Sequence, residues 1–335
     1  METKASNFLN IKGLPDLANI LDINIYKLVD MVAKPGYRSF TIPKKKGGER
    51  VIHAPKKKLA KVQKKLNGIL QYLYQEKRAV QGFISNKYSY YPHGILSNAQ
   101  AHLGMNYIWN IDLVDFFPSI STHRIKETFE SAPFNFVSPI ASYITLICSY
   151  QKQLPIGAPT SPMLSNYVCR NLDENILAWI YQAREKNIEV KYTRYADDMT
   201  FSFMEKPSDG LQNEIIQLIN EQGFQLNPKK NRLQAKKQAQ WVTGIKVNEK
   251  PNLDRRQIRK LRAIIHHAQT AGLEEACKRY YKLETVPVEA IEKFLLSIGG
   301  KINYVAFVRG RTDSVFLKLF VPFQKLRETY LNKEN

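Results

Sequence analysis

Leu14, Leu17, Ile20 and Leu21, then Ile25, Leu28 and Met31, recur at helical spacing and predict two short packed helices over residues 6–32. The stretch YRSFTIPKKKGGERVIHAP instead has two β-rich runs around Gly47 and Gly48, the pattern of a hairpin with a lysine-rich tip. Helical spacing returns over 59–75 and around 97–103. Tyr107, Trp109 and Ile111 alternate with Ile108 and Asn110, and Pro118 closes the run, which predicts a strand ending in a turn.

From Ser161, read as an N-cap with Pro162 at the first helical position, Leu164, Val168, Leu172, Ile176 and Ile180 share one face. That spacing predicts one long amphipathic helix fed by the loop LPIGAPT. Two strand-like runs in IEVKYTRYADDMTFSF then meet at Ala196 to Asp198. A helix over 211–221, a turn into a short strand at FQLNPKKNR, a strand pair in QWVTGIKVN, a basic helix over 254–270 and a short helix over 288–297 complete the pattern.

Composition narrows the class. A chain of 335 residues with 44% hydrophobic positions can bury a core and is not broadly disordered. Its formal charge of +20 attracts polyanions. The charge is clustered: residues 34–65 carry twelve Lys and Arg against Glu49, and residues 226–262 carry twelve against Glu249 and Asp254. Two basic tracts flanking a neutral middle suit the walls of a nucleic-acid groove. Cys148, Cys169 and Cys277 form no CxxC pair, and the six histidines, His266 and His267 included, show no zinc spacing. The N-terminal METKASNFLN has no apolar signal core and no run reaches the length of a membrane span, so the expected location is the cytoplasm, without a membrane partner.

The candidate chemistry lies in carboxylates that interrupt strands. Asp112 stands where a buried strand should continue, with Asp115 close behind, and Asp197 and Asp198 sit side by side where two strands meet. Taken alone, an Asp pair at a turn is ordinary turn chemistry. Brought together on adjacent strands, three carboxylates repel unless protonated or bridged by cations. Mg²⁺ takes one or two protein carboxylates and completes its shell with water and phosphates, and two such ions serve in-line phosphoryl displacement. In a basic protein this points to nucleotidyl transfer.

In their order along the chain, these segments resemble a reverse transcriptase. IDLVDFF resembles the motif A strand, LPIGAPTSPMLSN the motif B loop and helix, RYADDMTF the YxDD hairpin, LNPKKN motif D, and IPKKKGGERVIHAP the nucleotide-binding hairpin. NAQAH, Asn98 to His102, resembles the NAxxH element of retron reverse transcriptases, and Val242, Thr243 and Gly244 resemble their VTG triplet. The resemblance implies an α+β right-hand polymerase with fingers, a palm built on an antiparallel sheet, and a short helical thumb. It places an N-terminal helical segment at 1–35, fingers at 36–105 with parts of 119–155, the palm at 106–247 and the thumb at 248–335.

It also implies roles. Asp112, Asp197 and Asp198 hold two Mg²⁺ ions during catalysis, helped by the carbonyl of Leu113. Phe117, five residues past Asp112, falls at the steric gate that excludes a 2′-hydroxyl, although one of Phe116 and Phe117 should be a core ring. Lys44 or Lys45 and Arg50 resemble triphosphate ligands, and Gly157 belongs to the small-residue loop beside the nascent base pair. Ile156 departs from the Gln common there. Lys229 or Lys230 is a candidate proton donor to pyrophosphate or a phosphate-contacting surface lysine. Asn98, His102, Val242, Thr243 and Gly244 are expected to recognise a cognate RNA.

Fewer than ninety residues follow Asn248, too few for a ribonuclease H domain beside a thumb. The implied partners are deoxynucleoside triphosphates, a cognate noncoding RNA with its branched RNA–DNA product (msDNA), and a separate effector protein in antiphage defence. The rival readings are an intron-type or other defence reverse transcriptase, and an RNA scaffold with unused catalytic acids.

Overall fold

A computed structural model describes residues 1–44 and 47–334. The chain opens with α1 (Glu2–Leu9), α2 (Leu14–Ile20) and α3 (Ile25–Ala33), three helices where spacing alone suggested two. The first break has a local cause: Asp16 Oδ2 accepts from the backbone N–H groups of Lys12 and Gly13 at 2.9 and 3.2 Å, and Pro15 stands in the first turn of α2. Asn24 caps α3 by accepting from the Tyr26 N–H at 3.0 Å.

Strands β1 (Tyr37–Pro43) and β2 (Glu49–Pro55) form the antiparallel hairpin read from the sequence, with Ile42 opposite Arg50. Helix α4 (Lys57–Leu73) buries Leu59, Val62, Leu66, Ile69 and Leu70 along one face and leaves its lysines outward or half-covered. Then come α5 (Ile95–Gln100), β3 (Tyr107–Asp112), α6 (Thr122–Glu130), α7 (Ser138–Cys148), α8 (Ser161–Val168) and α9 (Arg170–Glu185).

The long helix expected from Ser161 is thus divided, with its interruption at Cys169. The turns on either side stay hydrogen-bonded, Cys169 N–H to Ser165 O at 3.0 Å and Asp173 N–H to Cys169 O at 2.9 Å, so the apolar face continues across the joint. Ser161 is not the cap. Thr160 holds that position, and the Ser161 hydroxyl turns back to donate to Pro155 O at 2.6 Å.

After β4 (Val190–Tyr195), β5 (Asp198–Phe203) and α10 (Asp209–Glu221), a 3₁₀ turn at Pro228–Lys230 leads into β6 (Arg232–Ala235). These strands form one antiparallel sheet in the order β4-β5-β3-β6. Trp109, Ile111, Met199, Phe201 and Phe203 from its strands join Leu172, Ile176, Ile180, Ile215 and Ile219 from α9 and α10 in a single core.

Contacts divide the chain into two compact units, Met1–Asn98 with Met105–Ala235, and Ala99–Gly104 with Lys236–Asn335. The second contains the hairpin β7 (Trp241–Val242) and β8 (Ile245–Lys246), then α11 (Arg255–Ala271), α12 (Leu273–Tyr281), α13 (Val288–Arg309) and α14 (Ser314–Glu334). The VTG hairpin therefore groups with the helices that follow it. Helix α11 buries Ile258, Leu261, Ile265 and Ala268 while Arg255, Arg256, Arg259, Lys260 and Arg262 face out. Helix α13 runs well past the expected end at residue 297. Gly299 lies within it because a β-carbon there would press the Phe323 ring of α14 at 3.3 Å. Among the described residues, no helix is long and apolar enough to cross a membrane.

Candidate active site

Register brings the carboxylates together. Pairing of β3 with β5 runs from Tyr107 opposite Phe203 to Asp112 opposite Asp198. Pairing of β4 with β5 sets Tyr195 opposite Asp198, so Ala196 and Asp197 form a two-residue turn. Ala196 has φ +59°, and Asp197 does not share that sign, the arrangement of a type II′ turn. The Asp197 carbonyl accepts from the Leu113 N–H at 3.1 Å, and the Asp112 carbonyl from the Asn227 N–H at 2.8 Å. Turn, strand end and the loop before β6 are thereby tied at one end of the sheet.

Asp112 is buried and pairs with Lys230, whose Nζ lies 2.6 Å from Oδ2. Burial first, and then Asp112, push the Asp197 carboxyl upward, opposed by Lys230 and Arg50. Loss of water on its protein side, then Asp197 and Asp112, push Asp198 up to about 6, although its side chain still reaches solvent. Among the described residues, no three His, Cys, Asp or Glu side chains converge as a ready-made metal cluster. The donors are nevertheless hard oxygens with too little positive charge around them, which suits a hard divalent cation. Lys230 supplies one counter-charge; both candidate lysines are exposed, and Lys230 is the one on Asp112.

The turn rests on groups that the sequence reading did not single out. Arg194, fully buried, donates from Nε and Nη2 to the two Asp173 oxygens at 2.8 and 2.6 Å. Its Nη1 reaches Asn166 Oδ1 at 3.1 Å and the Ala196 carbonyl at 3.3 Å. The Tyr192 hydroxyl donates to Asp173 Oδ1 at 2.8 Å, and the Asn166 amide to Gly82 O at 2.8 Å. Residues 79–82 line the outer edge of β4, through Arg194 N–H to Ala79 O at 2.7 Å and Gln81 N–H to Arg194 O at 2.8 Å. Gly82 then fits flush against the turn: a β-carbon there would lie 2.8 Å from Ala196 N. A signal for the ion pair existed, since Asp173 stands on the same helical face as Ile176 and Ile180, and Arg194 follows Val190 and Tyr192 at alternate positions of a strand.

Phe116 is buried and packs on Phe224, with centroids 5.8 Å apart. Phe117 is half-buried, 6.1 Å from the Phe83 ring. Leu113 is buried. Gly157 has φ +111°, and a β-carbon there would lie 2.8 Å from Ile52 Cγ2. The neighbouring Ile156 carbonyl accepts from His53 N–H at 2.8 Å, so this loop is laid against β2 by its backbone, whatever the Ile156 side chain does. Arg50 and Lys44 are exposed on the hairpin, and Arg50 is near enough to Asp197 to act on its charge. Lys45 lies outside the described residues.

Of the residues expected to recognise RNA, Asn98, His102 and Val242 are buried, and Thr243 and Gly244 are the accessible ones. Both have positive φ, +45° and +82°, as a type I′ turn requires. Beside that hairpin, within the second unit, a groove of about 510 Å³ is lined by Trp241, Lys246, Lys250, Arg255 and Arg256 among others.

Comparison with known proteins gives the family. The family model of reverse transcriptases (RNA-dependent DNA polymerases) matches residues 42–247. The chain is 33% identical over 283 residues to the retron Ec86 reverse transcriptase of Escherichia coli, covering 79% of this chain and 84% of that one. It is 29% identical over 249 residues to the retron Mx65 reverse transcriptase of Myxococcus xanthus, covering 69% of this chain but only 55% of that longer relative. Among solved structures, an apo telomerase from Candida tropicalis is similar at 13% identity and a TM-score of 0.47, over 88% of this chain and 62% of that one.

Proposed function

The chain belongs to the reverse transcriptases, within their retron type, and on that premise we propose that it copies part of one cognate structured noncoding RNA into DNA. Synthesis starts from the 2′-hydroxyl of an internal guanosine, so the product is the branched RNA–DNA hybrid msDNA. The hybrid and the polymerase together restrain a separate effector protein in antiphage defence, in the bacterial cytoplasm. The observation that carries the catalytic part is the pairing of Asp112 with Asp198 across β3 and β5, with Asp197 on the adjoining turn and both turn-side carboxyls pushed upward.

In this reading Asp112, Asp197 and Asp198 hold Mg²⁺, aided by the Leu113 carbonyl. When bound, two such ions supply the positive charge that the attacking and leaving oxygens of an in-line phosphoryl displacement require. The chain's own groups do the rest. Arg50 and Lys44, with Lys45, grip the triphosphate and offset its charge. Phe117 lies under the sugar and excludes a 2′-hydroxyl by contact, while Phe116 anchors it from the core. Gly157 keeps the loop on β2 close-packed beside the nascent pair. Lys230, held at Asp112, gives a proton to the departing pyrophosphate, and Lys229 contacts phosphate from the surface.

RNA selection is assigned to Asn98, His102, Val242, Thr243 and Gly244, of which Thr243 and Gly244, at the hairpin tip, are the accessible ones. The exposed basic face of α11 tracks the duplex by its phosphates.

Sequencing nucleic acid that co-purifies with the protein, before and after ribonuclease, tests this reading. One RNA joined to DNA of fixed length is expected, and it should disappear when Asp197 and Asp198 are replaced by Ala while RNA binding persists. Random cellular RNA without such DNA rejects the retron role. DNA synthesis unchanged by the double substitution rejects the site.

A further inference from the structure

Tyr72, near the end of α4, and Tyr88, Tyr90 and Tyr91, in the segment between α4 and α5, all leave ring area open to solvent. Tyr90 is 93% exposed, Tyr91 40% and Tyr72 37%. Two of the rings carry cations, with the Arg78 guanidinium 4.1 Å from the centroid of Tyr91 and the Lys87 ammonium 5.3 Å from that of Tyr88. Tyr72 meets Tyr88 edge-on at 5.5 Å. A loop whose only task is to connect two helices gains nothing by holding these rings in water, where Ser, Asn or Gly serve as well.

The loop is also firmly built. One carboxylate, that of Glu76, accepts from the Tyr90 N–H at 2.8 Å and from the Ser89 hydroxyl, and meets His93 Nε2 at 2.8 Å. His93 is buried, with Nδ1 2.7 Å from Val80 O, and the Asn86 amide brackets its backbone, accepting from His93 N–H at 2.8 Å and donating to His93 O at 3.2 Å. Gln71 pins the other end, accepting from Ser85 N–H at 2.9 Å and donating to Phe83 O at 2.7 Å. The exposed rings are therefore presented by a fixed frame, which spares a ligand the entropy of ordering them.

We propose that this surface is a stacking platform for unpaired nucleotides. Flat exposed rings with cations at their faces match the π-faces of bases and the phosphates between them, the chemistry by which single strands are held without regard to sequence. Its position fits a strand on the way to the carboxylates. Phe83 lies 6.1 Å from Phe117 and 6.2 Å from Tyr195, and five residues on, after at most roughly 18 Å of chain, comes Tyr88. Tyr- and Ser-rich loops also serve protein recognition. The cations on two rings and the +20 charge of the chain favour a polyanion instead.

The test is binding of a labelled, unstructured uridine oligonucleotide to the full-length protein at elevated salt, where phosphate attraction is weakened. Replacing Tyr90 and Tyr91 by Ala should weaken it on the order of tenfold or more, while the Phe pair keeps the affinity, because stacking uses the ring face. Affinity for a blunt RNA duplex should stay as in the wild type. A deoxyuridine oligonucleotide should lose as much as the RNA, since the rings read bases and not riboses. Wild-type affinity in the Ala pair, as expected if the surface serves a protein partner, overturns the proposal, and so does an equal loss for the duplex.

Discussion

Arg194 and Asp173 form a two-pronged ion pair, at 2.8 and 2.6 Å, in which neither side chain reaches solvent. The same guanidinium donates to the Ala196 carbonyl at 3.3 Å, so a charge pair inside the core fixes the backbone that carries Asp197. Removing one member of such a pair leaves an uncompensated buried charge, whereas removing both leaves no charge and only the smaller cost of the neutral partners Tyr192, Asn166 and Ala196. Asp173→Ala should destabilise the protein by about 3–5 kcal/mol in denaturant unfolding. The combined Asp173→Leu, Arg194→Met variant should regain much of that stability without regaining DNA synthesis, since the Ala196 carbonyl loses its donor.

Gly82→Ala places a methyl group 2.8 Å from Ala196 N, and the other close atoms, in Tyr195, are also backbone. Neither side can yield by a side-chain rotation, so the turn must shift. Displacement of reacting groups by about 1 Å costs on the order of a hundredfold in rate. Primer extension should fall by about that factor, while circular dichroism reports an unchanged fold.

Lys230 holds Asp112 at 2.6 Å and competes there with any incoming cation. Lys230→Met should therefore lower the concentration of Mn²⁺ needed for half-saturation, read by electron paramagnetic resonance. Lys229→Met, at an exposed position, should leave it unchanged.

Without metal, Asp198 holds its proton up to about pH 6, well above its ordinary value near 4. Between those values the folded state binds more protons than the unfolded one, so the stability contribution of this group falls as pH rises through the window. Burial is the largest cause, followed by Asp197 and then Asp112, and Lys230 opposes them. The paired carboxyls Asp22 and Asp313 are shifted downward and act in the opposite sense, so the readout is the difference between wild type and Asp198→Asn. The Tm of the wild type relative to that variant should drop from pH 4 to pH 6, and Mg²⁺ should reverse the drop.

Much of this protein is determined locally. The alternation over Tyr107 to Asp112, the two runs meeting at Ala196 and the Lys-rich hairpin each follow from side chains a few residues apart, and the ordered motifs around Asp112, Asp197 and Asp198 identify the family. Tertiary structure decided what depends on distant partners. Register alone set Asp112 opposite Asp198, and a 3₁₀ turn, whose successive side chains point in different directions, selected Lys230 over Lys229. The need for a small residue at Gly299 within α13 depends on the Phe323 ring, and the need for Gly82 depends on a turn more than a hundred residues away. Spacing along a chain records which face a residue shares with its near neighbours. Which atoms meet across the core is fixed only when the whole set of faces packs at once.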